Sequence, residues 1–234
     1  VRLAAERDIC LVPYGGGTNV SGALALPAND GRIFVSVDMR RMNKIVWLDE
    51  ENYQACIEAG ISGKELEREL SAHGYTSGHD PDSVELSTLG GWIATNASGM
   101  KKNRYGNIED IVLEATLVTP AGDVETLRVT PRNSVGVQPR GLLFGSEGNF
   151  GIITKAVLKV HPKPAVREYG ALIFKTFADG VSYLKELRQT GVMPASIRLV
   201  NNNEFRFGQA LKPAPAAMKH WQEKGQKFAL LKLM

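Results

Sequence analysis

Three glycine-rich segments hold the residues of this sequence that could do chemistry. The first is Tyr14-Gly15-Gly16-Gly17-Thr18-Asn19-Val20, followed by Ser21 and Gly22. Consecutive glycines remove every Cβ from a turn and permit positive φ, so successive N–H groups can converge on an anion. Thr18, Asn19 and Ser21 add side-chain donors. The run matches neither the phosphate loop ending in Gly-Lys-Ser/Thr nor G-x-G-x-x-G. The second segment, Gly78 to Asp110, is GHDPDSVELSTLGGWIATNASGMKKNRYGNIED. Thr88 is a good N-cap for a short helix over Leu89–Thr95, and the free N–H groups of such a helix start attract anions. Gly90 and Gly91 would let a ligand or a second backbone lie against that helix. Glycine costs a helix interior about 1 kcal/mol each, so a pair calls for a reason beyond propensity. The third segment is Gly145-Ser146-Glu147-Gly148-Asn149-Phe150-Gly151. A plain turn into a strand would need fewer glycines, so backbone close to a ligand is expected here too.

The elements that must position these segments follow from periodicity. Ile9–Pro13 is an apolar run read as a buried strand that feeds the first glycine segment. Ile33–Asp38, Lys44–Asp49 and Tyr53–Ala59 read as strands, the last two joined by a turn at Asp49-Glu50-Glu51-Asn52. Ser62 with Glu65 forms a capping box for a helix whose apolar face is Leu66 and Leu70 and which Gly74 ends. Ile111–Thr119 is a strand, Pro120-Ala121-Gly122-Asp123 a turn, and Val124–Val129 the return strand. Residues 131–139 read as an irregular surface loop, Arg140–Phe144 as one helical turn, and Ile152–Val160 as a long strand. Pro162-Lys163-Pro164 breaks the pattern and marks a domain boundary, giving a first domain over 1–162 and a second over 163–234. The second opens as strand, helix and strand over Tyr169–Phe174, Ala178–Gln189 and Ser196–Val200, then a short helix over Asn203–Ala210.

Composition narrows the function classes. The 234 residues carry 28 basic and 25 acidic side chains, a net charge of +3, which is too balanced to argue for nucleic acid. Cys10 and Cys56 read as buried reduced thiols, and no metal-ligand spacing links them to a histidine. There is no signal peptide and no bilayer-spanning apolar run. The first residue is Val1 and the last ones are KFALLKLM, so both ends read as cuts in a longer chain.

Taken together, Tyr14–Gly22, Gly78–Asp110 and Gly145–Thr154 resemble, in order and spacing, the vanillyl-alcohol-oxidase type of FAD-binding family. The resemblance implies an α+β fold: two small subdomains holding non-covalent FAD, then the start of a cap domain over the flavin. Within that family GHDPDS, STLGGW, ASGMKKNRYGNIED and PASIRL (Pro194–Leu199) look like the alkyldihydroxyacetonephosphate synthases, the flavoenzymes of ether-lipid synthesis. Trp92 and the KKNRYGNIED run set the chain apart from the flavin-dependent D-lactate or glycolate dehydrogenases, which share the fold. A degenerate flavin fold kept for binding or scaffolding is the non-enzymatic alternative.

The resemblance further implies roles, residue by residue. Tyr14 to Val20 would wrap the FAD pyrophosphate. Asp82-Ser83-Val84-Glu85-Leu86-Ser87-Thr88 and Thr95-Asn96-Ala97-Ser98 would line pyrophosphate and flavin. Glu147-Gly148-Asn149-Phe150-Gly151-Ile152-Ile153 would contact the cofactor through backbone groups, although Asn149-Phe150 stands where the wider family shows Thr-Leu. The reaction implied exchanges the acyl chain of acyl-dihydroxyacetone phosphate for a long-chain fatty alcohol, with no net redox. It needs a general acid or base beside the flavin, and His79 is the candidate, oriented by Asp80. Arg198 would hold substrate phosphate or anchor the cap by an ion pair, and Lys101-Lys102-Asn103-Arg104 could attract phosphate. A catalytic tyrosine and part of the phosphate site are expected beyond Met234, so Val1 to Met234 alone is expected to be inactive. Peroxisomal location, a membrane surface for the full-length enzyme and a homodimer complete what the resemblance implies.

Overall fold

The computed structural model describes residues 1–125, 132, 134, 136, 139–211 and 229–233. The chain divides into two compact units, Val1–Lys163 and Pro164–Met234.

In the first unit, α1 (Arg2–Glu6) precedes β1 (Ile9–Tyr14), which pairs in parallel with β2 (Ile33–Asp38). The connection between them is the first glycine segment, so the end of β1 delivers that loop to the protein surface. The main sheet has five strands in the order β3 (Ile45–Asp49), β4 (Gln54–Glu58), β8 (Ile152–Lys159), β6 (Val112–Thr119), β7 (Gly122–Val124). All its pairings are antiparallel. The β3–β4 turn closes where Asp49 accepts from the Asn52 N–H at 2.9 Å and Tyr53 takes φ +54°.

Alternation along β4 and β8 sorts their residues between the two faces of the sheet. Ala55, Ile57, Ala156 and Leu158 face the main core, whereas Cys56 and Val157 join Leu113 in a smaller cluster. The main core is completed by α2 (Gly63–Ala72), α3 (Leu89–Ala94) and α5 (Ile108–Ile111), through Leu66, Leu70, Ile93 and Ile108. The capping box at Ser62 forms as expected: its hydroxyl accepts from the Glu65 N–H, and Gly74 follows at φ +81°. Between α2 and α3 runs β5 (Tyr75–Thr76), which pairs with β9 (His161–Pro162), and α4 (Lys102–Tyr105) precedes α5.

Two local expectations shift. Thr119 pairs with Gly122, so the β6–β7 turn is Pro120-Ala121 alone and the return strand begins at Gly122. The helical turn at Arg140 is a 3-10 turn over Pro139–Leu142. The return strand ends at Val124, and residues 126–129 and most of the 131–139 loop lie outside the described residues.

The second unit holds β10 (Gly170–Phe174), α6 (Phe177–Gln189), β11 (Ile197–Val200), α7 (Asn202–Leu211) and β12 (Ala229–Leu233). Its three-stranded antiparallel sheet runs β10-β12-β11. Thr176 and Asp179 form the capping box of α6. Gly180 on α6 permits the close approach to β11, since a Cβ there would lie 2.7 Å from Leu199. Neither unit has a described helix long and apolar enough to cross a membrane.

Candidate functional site

A cavity of about 470 Å³ opens in the first unit, bounded by all three glycine-rich segments. Its size falls in the range of small-molecule and cofactor sites.

The first wall is the loop after β1. Tyr14 closes the strand by accepting from the Met39 N–H at 2.9 Å. Beyond it, the three glycines serve different ends. Only Gly17 takes a left-handed conformation, at φ +66°. Gly15 and Gly16 are required by contact instead. A Cβ on Gly15 would lie 2.2 Å from Thr88 Oγ1, and one on Gly16 would lie 2.0 Å from the Leu86 carbonyl oxygen. Of the two expected reasons for the triplet, positive φ applies at Gly17 alone, and the need to lack a Cβ applies at Gly15 and Gly16. These glycines let the loop lie directly on the 82–88 segment. Among the described residues, no backbone N–H from Gly15 to Ser21 donates to a protein acceptor. Asn19 accepts from the Ala23 N–H at 3.2 Å. The Ser21 hydroxyl, expected to face a ligand, donates to Glu147 Oε1 at 2.8 Å and joins the first and third segments.

The second wall is the 82–98 stretch. Thr88 caps α3, its side chain accepting from Gly91 N–H. The helix start is nevertheless no anion site. The Leu89 N–H donates to the Ile61 carbonyl at 3.1 Å, and the Gly90 N–H to the Ala59 carbonyl at 2.7 Å. These partners come from the segment before α2, which sequence proximity does not reveal. The two helix glycines also differ. A Cβ on Gly90 would press on Ala59 at 3.0 Å, whereas one on Gly91 would meet only Thr88 Oγ1, at 3.3 Å. Gly90 is therefore a packing glycine, and Gly91 keeps the helix open towards the cavity. Asp82, Ser87, Thr88, Thr95, Ala97 and Ser98 line the cavity; Ser83, Val84, Glu85, Leu86 and Asn96 do not. Val84 is turned the other way, under Gly63.

The third wall is tied to the end of α3. The Gly145 N–H donates to Ile93 at 3.3 Å and the Glu147 N–H to Ala94 at 2.9 Å. Glu147 at φ +47° and Gly148 at φ +85° carry the bend. Glu147, Gly148, Gly151 and Ile153 line the cavity, whereas Asn149, Phe150 and Ile152 do not. Asn149 caps its own turn instead, donating from N–H and Nδ2 to the Ser146 carbonyl, both at 2.9 Å.

Met39 and Ala59 also line the cavity, unforeseen from the sequence. They meet because Gly60 packs on Met39, whose carbonyl oxygen would lie 1.7 Å from a Cβ at Gly60. The single glycine was the only local signal.

His79 is behind this site, not on its wall. It is 3% exposed and absent from the cavity lining. Its ring packs edge-on against Trp92, 5.0 Å between centroids, and Gly99 leaves room for it: a Cβ there would lie 2.9 Å from Nδ1. Trp92, which does line the cavity, donates from Nε1 to Ser87 Oγ at 2.8 Å. Neither ring nitrogen of His79 has a partner among the described residues. Burial drives its pKa down to about 4, with Asp80 pulling only weakly the other way. Asp80 does not orient it; that carboxylate pairs with Lys101 at 2.9 Å. Arg198, in the second unit, makes an exposed ion pair with Glu204, a contact of little energetic weight.

The donor set fits a diphosphate. Among the described residues no Lys or Arg lines the cavity, so negative charge there rests on the unspent N–H groups of the glycine loop. Comparison with known proteins agrees. The profile of the family described as "FAD binding domain" matches residues 1–128, more than half of the chain. The chain belongs to this FAD-binding family. A second profile, "FAD linked oxidases, C-terminal domain", matches residues 163–233. FAD is accordingly the cofactor of the domain, and the α+β fold class stands.

The chain is 44% identical to the alkyldihydroxyacetonephosphate synthase of Caenorhabditis elegans, over 90% of this chain and 35% of that one. The synthase of Dictyostelium discoideum is also 44% identical, over 94% of this chain and 36% of that one. A D-lactate dehydrogenase [cytochrome] of Saccharomyces cerevisiae is 30% identical, over 97% of this chain and 38% of that one. A solved structure of an alkyldihydroxyacetonephosphate synthase superposes with a TM-score of 0.87 at 40% identity, covering 99% of this chain and 44% of that one. The chain thus spans about a third of the length of the curated relatives it matches.

Proposed function

We propose that this chain is the cofactor-binding part of a flavin-dependent alkyl transferase of ether-lipid synthesis. The whole enzyme exchanges the acyl chain of acyl-dihydroxyacetone phosphate for a long-chain fatty alcohol, with no net redox. The observation that carries this reading is 44% identity to synthases against 30% to a D-lactate dehydrogenase, over comparable spans of the chain. The first unit is the FAD domain and the second the beginning of the substrate domain.

FAD supplies the reactive ring system of the exchange. The chain's own residues bind and orient it. The Gly15–Ser21 N–H groups take the diphosphate, as a convergent array does for any anion. The α3 side, with Gly91, Thr95, Ala97 and Ser98, faces the flavin portion. Trp92, braced by His79 and by its bond to Ser87, gives that side a rigid apolar surface. His79 stands behind Trp92 and is absent from the cavity lining, so it acts as a positioning residue and not as the general acid or base. Peroxisomal location, contact of the full-length enzyme with a membrane surface, and a homodimer belong to the same reading and rest on the family alone.

Ser21 is expected to slow FAD release by tying the first loop to Glu147. Ser21→Ala should raise the release rate about threefold, in keeping with one exposed hydrogen bond to a carboxylate. Stopped-flow flavin fluorescence reads this directly, and an unchanged rate would show that the tie does not hold the site closed.

The reading itself is tested with the full-length protein, an acyl-dihydroxyacetone phosphate and a radiolabelled fatty alcohol. Label is expected in alkyl-dihydroxyacetone phosphate, with release of the fatty acid. Reduction of a dye on addition of D-lactate, with no label transferred, would replace it by the dehydrogenase reading.

A further inference from the structure

The His79 ring has no polar partner among the described residues, so its place behind Trp92 is set by packing and by its backbone. The turn that carries it is tied to α2 through Glu67. Glu67 Oε1 accepts from the Ser77 N–H at 3.0 Å and from the Ser77 hydroxyl at 2.5 Å, and Glu67 Oε2 accepts from the Thr76 hydroxyl at 2.7 Å. A carboxylate only accepts, so each hydroxyl spends its single proton on Glu67 and keeps its lone pairs for the turn. Ser77 Oγ accepts from the His79 N–H at 3.2 Å, and Thr76 Oγ1 from the Gly78 N–H at 3.1 Å. Thr76 and Ser77 are buried, so a lost partner there is not replaced by solvent. The other sides of the turn are closed. Gly78 sits at φ +71° with the Tyr105 ring 2.2 Å from where a Cβ would lie, and beyond His79 the Met100 N–H donates to the Asp80 carbonyl at 2.8 Å. Contact thus runs from Glu67 through Ser77 and His79 to Trp92, and of these four only Trp92 lines the cavity.

We propose that Glu67 is a positioning residue for the cavity wall: through Thr76 and Ser77 it fixes the 76–79 turn, and with it the His79 ring against which Trp92 rests. Glu67 touches no ligand; it acts at a distance by setting which way two buried hydroxyls point. Glutamine at this position keeps both Ser77 ties, because its carbonyl oxygen can accept them, and loses only the tie to Thr76. The consequence for the cofactor rests on the FAD reading above; the consequence for His79 does not.

The test treats full-length apoprotein at neutral pH with diethylpyrocarbonate, which modifies histidine, and with N-ethylmaleimide, which modifies cysteine, and reads each labelled peptide by mass spectrometry. Cys56, buried in β4 of the main sheet, reports opening of the unit as a whole. Glu67→Ala should raise the labelling rate of His79 about tenfold, the worth of one hydrogen bond to a charged group, and leave that of Cys56 unchanged. Glu67→Gln should label His79 as slowly as wild type. Ser77→Ala should expose His79 as well, and the double variant Glu67→Ala with Ser77→Ala should expose it by less than the product of the two single effects. Titrated with FAD, Glu67→Ala should bind severalfold more weakly and Glu67→Gln as wild type does. An unchanged His79 rate in Glu67→Ala would overturn the proposal. So would a rise of His79 and Cys56 by the same factor, as in a variant that fails to fold, because Glu67 would then support the unit as a whole. Wild-type FAD affinity in a Glu67→Ala protein whose His79 is exposed would overturn the link to the cavity wall. Failure of the wild-type protein to take up FAD at all would overturn the FAD reading and leave the His79 result standing.

Discussion

Gly16→Val is expected to abolish FAD binding. A Cβ on Gly16 would lie 2.0 Å from the Leu86 carbonyl oxygen, 2.5 Å from its carbon and 3.0 Å from the Ser87 nitrogen. All are backbone atoms, and the 82–88 segment that carries them is held by the Leu86 and Ser87 N–H bonds to the Ser83 carbonyl. No rotamer relieves the overlap, so the loop must lift and its N–H array disperses. Overpacking of this kind costs about 3 kcal/mol, more than a hundredfold in affinity. The valine branch adds to it. Gly31→Ala is the matched control, because nothing lies within 4 Å of its Cβ position. Full-length Gly16→Val should purify colourless and Gly31→Ala yellow. A yellow Gly16→Val protein would mean that the loop does not rest on the 82–88 segment as described.

The second large effect is on stability and comes from His79. Its folded pKa of about 4 lies below the ordinary 6.5 because burial disfavours the imidazolium. The unfolded chain therefore binds more protons than the folded one between those values. Stability from this group is complete above pH 6.5 and is lost as pH falls towards 4, on the order of 3 kcal/mol in all. Urea unfolding across this range should show it, on top of the carboxylates that every protein protonates. His79→Phe keeps a ring against Trp92 and cannot take up the proton, so it should flatten the profile in this window. A profile as steep as that of wild type would show that another group carries the acid sensitivity. FAD content at neutral pH should change little in His79→Phe, in keeping with a residue behind the wall.

Much of this architecture was legible locally. The strands and the Ser62–Glu65 capping box are signals within a few residues of themselves. The glycine segments marked the cavity because close approach demands the absence of a side chain. What the glycines approach was not legible. Gly15 and Gly16 meet Thr88 and Leu86, and Gly60 meets Met39, all through tertiary folding. For the same reason the start of α3 read as an anion site: its N–H groups are spent on Ala59 and Ile61, from another part of the chain. His79, in a polar setting along the sequence, is buried because Trp92 and Gly99 close over it. Polar neighbours in sequence do not measure burial.

The central claim, that this cavity holds FAD for an exchange without net redox, is tested most directly by anaerobic turnover of the full-length protein. Acyl-dihydroxyacetone phosphate and a fatty alcohol are supplied with no electron acceptor, and product is counted against bound flavin. The expected result is many equivalents of alkyl-dihydroxyacetone phosphate per flavin, with the oxidised flavin spectrum intact at the end. Product that stops at one equivalent per flavin until an acceptor is added would contradict it.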